Sequence, residues 1–327
     1  MHMSQEALVP DQSLVTFLFT QGLAKSGEQI QWAPLVGGVS SDIWRVELPG
    51  HAICIKRALP QLKVSAEWLA PVNRSNYEWA WMKFAFQHCP DNVPRPLAQD
   101  ADAGLFAMEF LKAEDHPVWK QQLLAGEVET TTAQAVGKLL GQLHAASARN
   151  LDIAATFDTI DNFYALRLEP YLVTTAARHP DISGQLIKLV ARTAGTQHVL
   201  VHGDVSPKNI LIGPKGPVLL DAECAWYGDP AFDLVFCLNH MLLKCLMRPE
   251  KRDALIECFR ILKNEYFKWV SWEDPAELES RSARLLPALF LARVDGKSPV
   301  EYLTDEGSKA IVRSVARQLI LSESTQL

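Results

Sequence analysis

The feature that most limits how this chain can fold lies at residues 199–223, where short apolar segments alternate with polar residues. Asp204 follows one such segment, Asn209 precedes a second, and Asp221 and Glu223 follow a third. If these segments are neighbouring strands, three carboxylates and one carboxamide gather at their ends. Oxygen ligands of this kind suit a hard cation such as Mg²⁺, which keeps substrate phosphates in its shell. A carboxylate left off the metal can accept a hydroxyl proton.

The pattern of apolar residues changes near residue 111. Before it, short segments separated by glycine and proline turns indicate an antiparallel sheet. These strands are predicted at 31–36, 42–48, 52–57, 96–98 and 105–110, with helices at 11–25 and 75–87. After it, helical spacing dominates. These helices are predicted at 130–147, 163–177, 182–193, 231–247, 250–269, 275–293 and 308–322. The pattern predicts an α+β protein with a lobe over 1–111 and a mainly helical lobe over 112–327.

Composition excludes several classes of protein. The 327 residues carry a net charge of −6 without a basic block, which argues against a nucleic-acid partner. The six cysteines form no C-x-x-C pair, as expected of reduced thiols in a cytoplasmic protein. The N-terminus has no secretory h-region, and the apolar run at 234–247 contains Asn239, His240 and Lys244, which favours a buried helix over a membrane span. We expect a monomer or a homodimer without a membrane partner.

The order and spacing of the polar residues then make the comparison with known families specific. His202-x-Asp204-x4-Asn209 followed by Asp221-x-Glu223 resembles the aminoglycoside phosphotransferase and choline kinase superfamily. Lys56-Arg-Ala-Leu-Pro60 and Trp226-Tyr227-Gly228 are similar to its methylthioribose kinase branch. The resemblance implies a bilobal protein-kinase-like fold, ATP and Mg²⁺ as cofactors, and a small-molecule hydroxyl acceptor.

The resemblance also implies roles in the larger lobe. Asp204 would orient the acceptor hydroxyl and take its proton, and Asn209 and Asp221 would bind Mg²⁺. Glu223 would be a second or water-mediated metal ligand. Lys208, next to Asn209, is expected to bring positive charge to the transferring phosphoryl group.

In the smaller lobe, the implied roles concern the nucleotide. Lys56 would pair with the α- and β-phosphates, and Glu78 would orient it, with Glu67 as a rival partner. The loop that covers the phosphates would use Gly37, Gly38, Ser40 and Ser41, although a hairpin turn explains the glycines equally well. At the hinge, adenine would bond to the Glu109 carbonyl and the Leu111 N–H.

Two histidines and one aspartate are expected to have structural roles. The segment from His202 to Asn209 is called the catalytic loop. His202 is expected to hold the packing of this loop, and His144 to bond within the helical core. Asp233 begins a helix, and the resemblance implies that it holds the backbone of the catalytic loop.

The sequence gives the least information about the identity of the acceptor substrate. Residues 241–327 carry 13 acids and 14 bases, so no anionic surface for a polycationic aminoglycoside is evident, and a neutral or anionic acceptor is favoured. Trp119, Trp226, Tyr227 and Arg293 are candidate pocket residues, but the segment from Arg293 to Asp295 reads equally well as a charged helix end. Two alternatives stay open: an aminoglycoside-modifying kinase and a nucleotide-binding protein without turnover.

Overall fold

The computed structural model describes residues 9–35, 41–59, 72–322 and 325–327. Four residues considered above lie outside these ranges: Gly37, Gly38, Ser40 and Glu67. Their predicted roles in covering phosphates or orienting Lys56 therefore stay predictions.

The small lobe is a five-stranded antiparallel sheet with the strand order β1-β2-β3-β5-β4. Its strands are β1 (Gln31–Pro34), β2 (Ser41–Leu48), β3 (His51–Ala58), β4 (Pro96–Asp100) and β5 (Leu105–Glu109). Two helices accompany the sheet, α1 (Gln12–Thr20) and α2 (Arg74–His88). Alternating side chains of β2, among them Trp44 and Val46, pack with Phe17 and Leu18 of α1. Asp11 caps α1 by accepting from two backbone N–H groups, as its sequence position predicts.

The larger lobe is helical, and one of its helices has π geometry. Its α-helices are α3 (Trp119–Ala125), α4 (Thr130–Ser147), α5 (Leu151–Thr156), α6 (Ile160–Phe163), α7 (Thr174–Arg178), α8 (Ser183–Gly195), α9 (Pro230–Met247), α10 (Arg252–Phe267), α11 (Pro275–Asp295) and α12 (Glu306–Ser322). The π-helix Tyr164–Val173 joins α6 to α7. Among the described helices, α9 is long and apolar enough to cross a bilayer, and 78% of it is buried inside the protein.

Two small two-stranded sheets lie between α8 and α9 and carry the polar motif. The strands β6 (Val199–Val201) and β9 (Trp226–Gly228) pair antiparallel, as do β7 (Ile210–Gly213) and β8 (Gly216–Leu219). Directly after β6, Gly203 has φ +80°, and a Cβ there would lie 2.7 Å from the carbonyl oxygen of Cys224. Only glycine lets the chain turn at this place, immediately before Asp204.

The α+β, two-lobed fold class predicted from the sequence is confirmed. The boundary predicted at residue 111 falls in the connection between β5 and α3. The lobes nevertheless share packing, because Trp81 and Ala85 of α2 belong to the hydrophobic core of the helical lobe.

Several elements differ from the prediction. The segment predicted as a helix over 163–177 contains the π-helix, and α3, α5 and β9 are not predicted at all. Those three elements have only three to seven residues, too few to show a clear period. The helix predicted over 11–25 ends at Thr20.

Candidate active site

A buried lysine on β3 joins the two lobes. The Lys56 Nζ atom lies 2.7 Å from a Glu78 carboxylate oxygen on α2 and 2.5 Å from an Asp221 carboxylate oxygen after β8. Its side chain is enclosed because apolar neighbours on β3 place it in the lobe interior, and Lys56 is 3% exposed. Glu78 is thus in contact with Lys56, while the rival partner Glu67 lies outside the described residues.

The charges of this cluster depend on one another. Burial opposes the ammonium, but Asp221 and Glu78 outweigh it and raise the pKa of Lys56. Burial raises the pKa of Glu78, with Lys56 opposing the change. Burial also acts against ionised Asp221, yet Lys56 and Lys208 hold the pKa of that carboxyl well below its usual value. Lys56 is therefore a fixed positive charge with an ionised carboxylate beside it.

Asp204 is buried, and one of its oxygens is available to a ligand. The Oδ2 atom lies 2.8 Å from a guanidinium nitrogen of Arg167 and 3.0 Å from Nζ of Lys208. The Oδ1 atom is buried without a hydrogen-bond partner among the described residues. Burial favours the protonated acid, but Arg167 and Lys208 outweigh it, so the pKa of Asp204 lies below its usual value. The carboxylate is thus ionised, anchored through Oδ2, and free to accept a hydrogen bond at Oδ1.

The backbone before Asp204 is held by a buried aspartate, Asp233. The Asp233 carboxylate accepts from the N–H of His202 at 2.7 Å and of Gly203 at 2.8 Å. The same carboxylate is 3.2 Å from Nε2 of His144, whose Nδ1 meets the Tyr266 hydroxyl. Asp233 therefore holds this loop and His144 bonds within the core, as predicted.

His202 itself packs the loop from the other side. Its Nδ1 accepts from the Asp204 N–H at 3.1 Å, and its ring meets the Trp81 ring edge to face at 4.7 Å. These contacts fit the predicted packing role.

The predicted metal ligands divide into two groups. Asn209 and Asp221 line the same cavity, and the Asn209 amide donates to the Asp204 carbonyl at 3.1 Å, which leaves its side-chain oxygen for a ligand. Glu223 instead accepts from Arg74 at 2.9 Å. Among the described residues, no cluster of three His, Cys, Asp or Glu side chains could hold a metal. One carboxylate and one carboxamide fit Mg²⁺, because this ion usually takes one or two protein ligands and completes its shell with phosphates and water. The part predicted for Glu223 stays a prediction.

A cavity of about 530 Å³ runs between the lobes. Six of the residues assigned a role from the sequence line it: Ser41, Lys56, Glu78, Lys208, Asn209 and Asp221. Asp204 does not line the cavity but contacts Lys208. Apolar side chains including Ile43, Met82, Met108 and Leu219 form much of the rest. A cleft with apolar walls and polar groups at one end is typical of a ligand site.

The two residues predicted to form the hinge follow Met108, which lines the cavity. Glu109 ends β5, its side chain is exposed, and its N–H donates to the Arg95 carbonyl at 2.9 Å. Neither Glu109 nor Leu111 is among the residues that line the cavity. Their predicted contacts with adenine use backbone atoms and stay predictions.

For three of the four candidate residues of the acceptor pocket, the prediction that they line it is wrong. Trp119, Trp226 and Tyr227 are buried in the helical core, where Trp226 stacks on Phe163 at 4.5 Å. Short aromatic segments after a polar motif look the same in sequence whether they face a ligand or the core. Arg293, in contrast, does line a small cavity next to Lys208.

Sequence reasoning missed Arg167 and did not give Lys244 a role. Arg167 lies in the π-helix, outside every motif, and its partner Asp204 is 37 positions away. Lys244 carried a readable signal, since a lysine inside an otherwise apolar helix is seldom buried without a purpose.

Comparisons with known proteins identify a family for the chain. Residues 31–256 match the phosphotransferase enzyme family APH. A methylthioribose kinase of Yersinia pseudotuberculosis is 23% identical over 249 residues, which cover 66% of this chain and 60% of that protein. One from Citrobacter koseri is 24% identical over 58% of this chain and 54% of that protein. The match thus spans less than two thirds of the length of these relatives.

Solved structures share the fold over nearly the whole chain. The ethanolamine kinase of Plasmodium vivax superposes with a TM-score of 0.60 at 11% identity, covering 98% of this chain and 94% of that one. A choline kinase from Cryptosporidium parvum gives 0.57 at 12% identity, covering 95% and 96%. The family match extends from β1 into α10 and includes both lobes and the Asp204 motif, and on this ground the chain belongs to the APH phosphotransferase enzyme family.

Proposed function

We propose that the protein is an ATP-dependent kinase that phosphorylates a hydroxyl group of a small metabolite. The observation that carries this proposal is that Lys56, Asn209 and Asp221 line one cleft between the lobes. Asp204 lies directly behind this wall, in contact with Lys208 and Asn209. The relatives from Yersinia pseudotuberculosis and Citrobacter koseri are methylthioribose kinases, and this supports a small acceptor with a free hydroxyl.

Asp204 acts on the acceptor. Its free Oδ1 accepts a hydrogen bond from the acceptor hydroxyl, and Arg167 and Lys208 fix the carboxylate through Oδ2. The hydroxyl oxygen bonds to the γ-phosphorus, the bond from phosphorus to the ADP oxygen breaks, and the proton passes to Asp204. A weakly basic carboxylate serves here, because in a loose transition state the proton leaves late and positioning matters most.

The residues around Asp221 act on the nucleotide. Lys56 binds phosphate oxygens, and Glu78 keeps its ammonium directed into the cleft. Asn209 and Asp221 are the residues that would hold Mg²⁺, which when bound neutralises charge on the phosphate oxygens. Lys208 lies beside Asp204 with a side chain 45% exposed to the cleft, so it is placed to meet the transferring group.

The test is ADP release by Asp204→Asn, measured over sugars, amino alcohols, hydroxy acids and aminoglycosides. We expect kcat to fall by about 10³-fold or more, because the amide cannot accept the proton, while ATP still raises the melting temperature. Asp152→Asn, on the exposed side of α5, is the matched control and should keep wild-type activity.

Two outcomes would contradict the proposal. Equal ADP release by wild type and Asp204→Asn would remove the role of Asp204. A protein stabilised by ATP and Mg²⁺ that releases no ADP with any acceptor would instead be a nucleotide-binding protein without turnover. Turnover limited to aminoglycosides would select the antibiotic-modifying alternative.

A further inference from the structure

A second, smaller cavity adjoins the cleft on the side of the larger lobe. Four cationic side chains line it, Lys120, Lys208, Lys244 and Arg293, against the single carboxylate of Glu301. Three of its residues, Lys120, Lys208 and Glu301, also line the large cavity. The small cavity therefore lies beside the cleft, and the lysine that contacts Asp204 is part of the wall between them.

Lys244 is the most unusual of these cations. It lies within α9, is 0% exposed, and its Nζ has no hydrogen-bond partner among the described residues. Its only described close contact of note is with the face of the Tyr302 ring, at 4.7 Å from the centroid. An ammonium enclosed in this way costs stability, because it loses its water without gaining an ion pair.

Two further donors point to the same missing partner. The Nε atom of Arg293 is buried and without a partner, although its Nη1 donates to the Tyr171 hydroxyl and to the Ser298 carbonyl. The Nε2 atom of His240 is also buried and without a partner, while Nδ1 lies 3.2 Å from the Tyr302 hydroxyl. With that hydroxyl donating to Nδ1, Nε2 carries the ring hydrogen and is a donor. Lys244, Arg293 and His240 thus offer three unsatisfied donors to one small space.

We propose that this small cavity binds a carboxylate of the acceptor, and that the acceptor is a small hydroxy acid. The proposal rests on the kinase function proposed above and narrows its substrate class. The cavity measures about 30 Å³, room for about two water-sized atoms, which matches the two oxygens of a carboxylate and not a whole sugar. Because Lys208 joins the cavity to Asp204, a carboxylate held here leaves a nearby hydroxyl at the catalytic carboxylate.

The protonation of Lys244 gives the proposal a signature beyond activity. Burial and the charge of Lys120 lower the pKa of Lys244 to about 7. The titratable and charged groups that face it are Lys120, Lys208, Cys237, His240, Arg293, Glu301 and Tyr302. A carboxylate bound beside the amine favours the ammonium, so at pH 8 binding should take up close to one proton.

The first experiment compares acceptors that differ only in the carboxylate. Wild type, Lys244→Met and Lys188→Met are assayed for ADP release with D-glycerate and glycerol, 4-hydroxybutyrate and 1,4-butanediol, and D-gluconate and D-glucitol. We expect wild type to prefer the acid in at least one pair by tenfold or more in kcat/KM. Lys244→Met should lower kcat/KM for that acid by about 10- to 100-fold, mainly through KM, and change the alcohol less than twofold.

Methionine keeps the length of the side chain and its packing on Tyr302, so the variant should fold with an unchanged or higher melting temperature. Lys188, exposed on α8, is the control for loss of a lysine in this lobe. A wild type that prefers the alcohol in every pair would overturn the proposal. An equal loss on acid and alcohol in Lys244→Met would do the same.

The second experiment measures binding without turnover. Calorimetric titration of the ATP-free protein with the preferred acid at pH 8, in two buffers of different ionisation heat, should show proton uptake in wild type and none in Lys244→Met. Inorganic phosphate is titrated alongside, and tighter binding of phosphate than of the acid would overturn the assignment to a carboxylate. Acid binding with proton uptake but no ADP release from any acceptor would refute the kinase function and leave the subsite. ADP release that does not depend on whether the acceptor carries a carboxylate would refute the carboxylate subsite and leave the kinase function.

Discussion

Arg167 links two parts of the catalytic loop through one side chain. Its guanidinium contacts Oδ2 of Asp204 at 2.8 Å, and its Nε donates to the Gly203 carbonyl at 2.6 Å. Both contacts are buried, so the planar fork holds the carboxylate and the preceding peptide in a fixed relation. Arg167 touches neither the acceptor hydroxyl nor the phosphates in the proposed mechanism, and we regard it as a positioning residue.

We expect Arg167→Met to lower kcat by about 10- to 100-fold with little change in ATP affinity, because Asp204 loses a charged hydrogen bond that fixes its direction. Arg167→Lys should recover part of the loss, since it restores the charge but not both contacts. Steady-state kinetics, with ATP binding measured separately, checks this, and Arg192→Met on the exposed face of α8 is the control. A variant with wild-type kcat would show that Lys208 alone positions Asp204.

At the scale of elements, the π-helix is what brings Arg167 to the site. It spans Tyr164–Val173, and it also carries Tyr171, whose hydroxyl accepts from Arg293. Sequence periodicity predicts only a helix here, because a change from α to π geometry shifts the hydrogen-bond register without altering the apolar pattern. The one local signal is Pro170, which cannot donate within the helix.

The joint between α11 and α12 depends on an ion pair near the end of α11. Asp295 accepts from Arg313 at 2.9 Å and lies 2.9 Å from Nε2 of His179. Burial acts against the ionised form, but Arg313 and His179 outweigh it and lower the pKa of Asp295 from its usual 3.8. Asp295 therefore serves the packing of the helical lobe and does not line either cavity.

The lowered pKa predicts how this joint responds to pH. Because Asp295 is more acidic in the folded chain, its ionisation stabilises the fold above pH 3.8, and the effect disappears as the pH falls through the lower folded value. Arg313→Met should lower the free energy of unfolding at pH 7 by about 0.5–1 kcal/mol, a small figure because Arg313 is partly exposed and screened. At a pH low enough to protonate Asp295 in the folded chain, the difference from wild type should vanish. Urea unfolding at both pH values checks this, with Arg260→Met as an exposed-pair control; an equal loss at both pH values would contradict it.

Across the whole molecule, the two lobes are joined by more than the connection after β5. Lys56, which pairs with Glu78 in the small lobe, contacts Asp221 of the large lobe, and Trp81 of α2 packs against His202 of the catalytic loop. Since α2 contributes to the core of the helical lobe, the lobes should not unfold independently.

We therefore expect one calorimetric transition with equal calorimetric and van't Hoff enthalpies. Trp81→Ala, which removes a buried ring at the junction, should lower the free energy of unfolding by about 3–5 kcal/mol and shift the transition without splitting it. Scanning calorimetry together with far-ultraviolet circular dichroism measures both. Two separate transitions in the wild type would show that the junction is too weak to couple the lobes.

The parts of the molecule that sequence predicts are those fixed by local pattern. The strands around Lys56 and the loop at Asp204 follow from apolar segments and spacing, whereas the role of Asp233 is implied only by the family resemblance. The contacts that close the site, Arg167 on Asp204 and Arg74 on Glu223, join residues 37 and 149 positions apart, and no local pattern encodes such pairs. Burial of Trp226 likewise depends on Phe163, an earlier helix residue that sequence does not place beside it.

The contact between Lys56 and Asp221 also bears on which anions the cleft admits. A bare lysine at that depth would attract any free polyphosphate or acidic fragment that diffused in. With Asp221 already 2.5 Å from its ammonium, Lys56 offers little net attraction, and an anion arriving alone meets a carboxylate. A ligand that carries its own cation can pair that cation with Asp221 while its anionic groups bind Lys56. We therefore expect the resting cleft to favour metal-complexed nucleotides over uncomplexed ones.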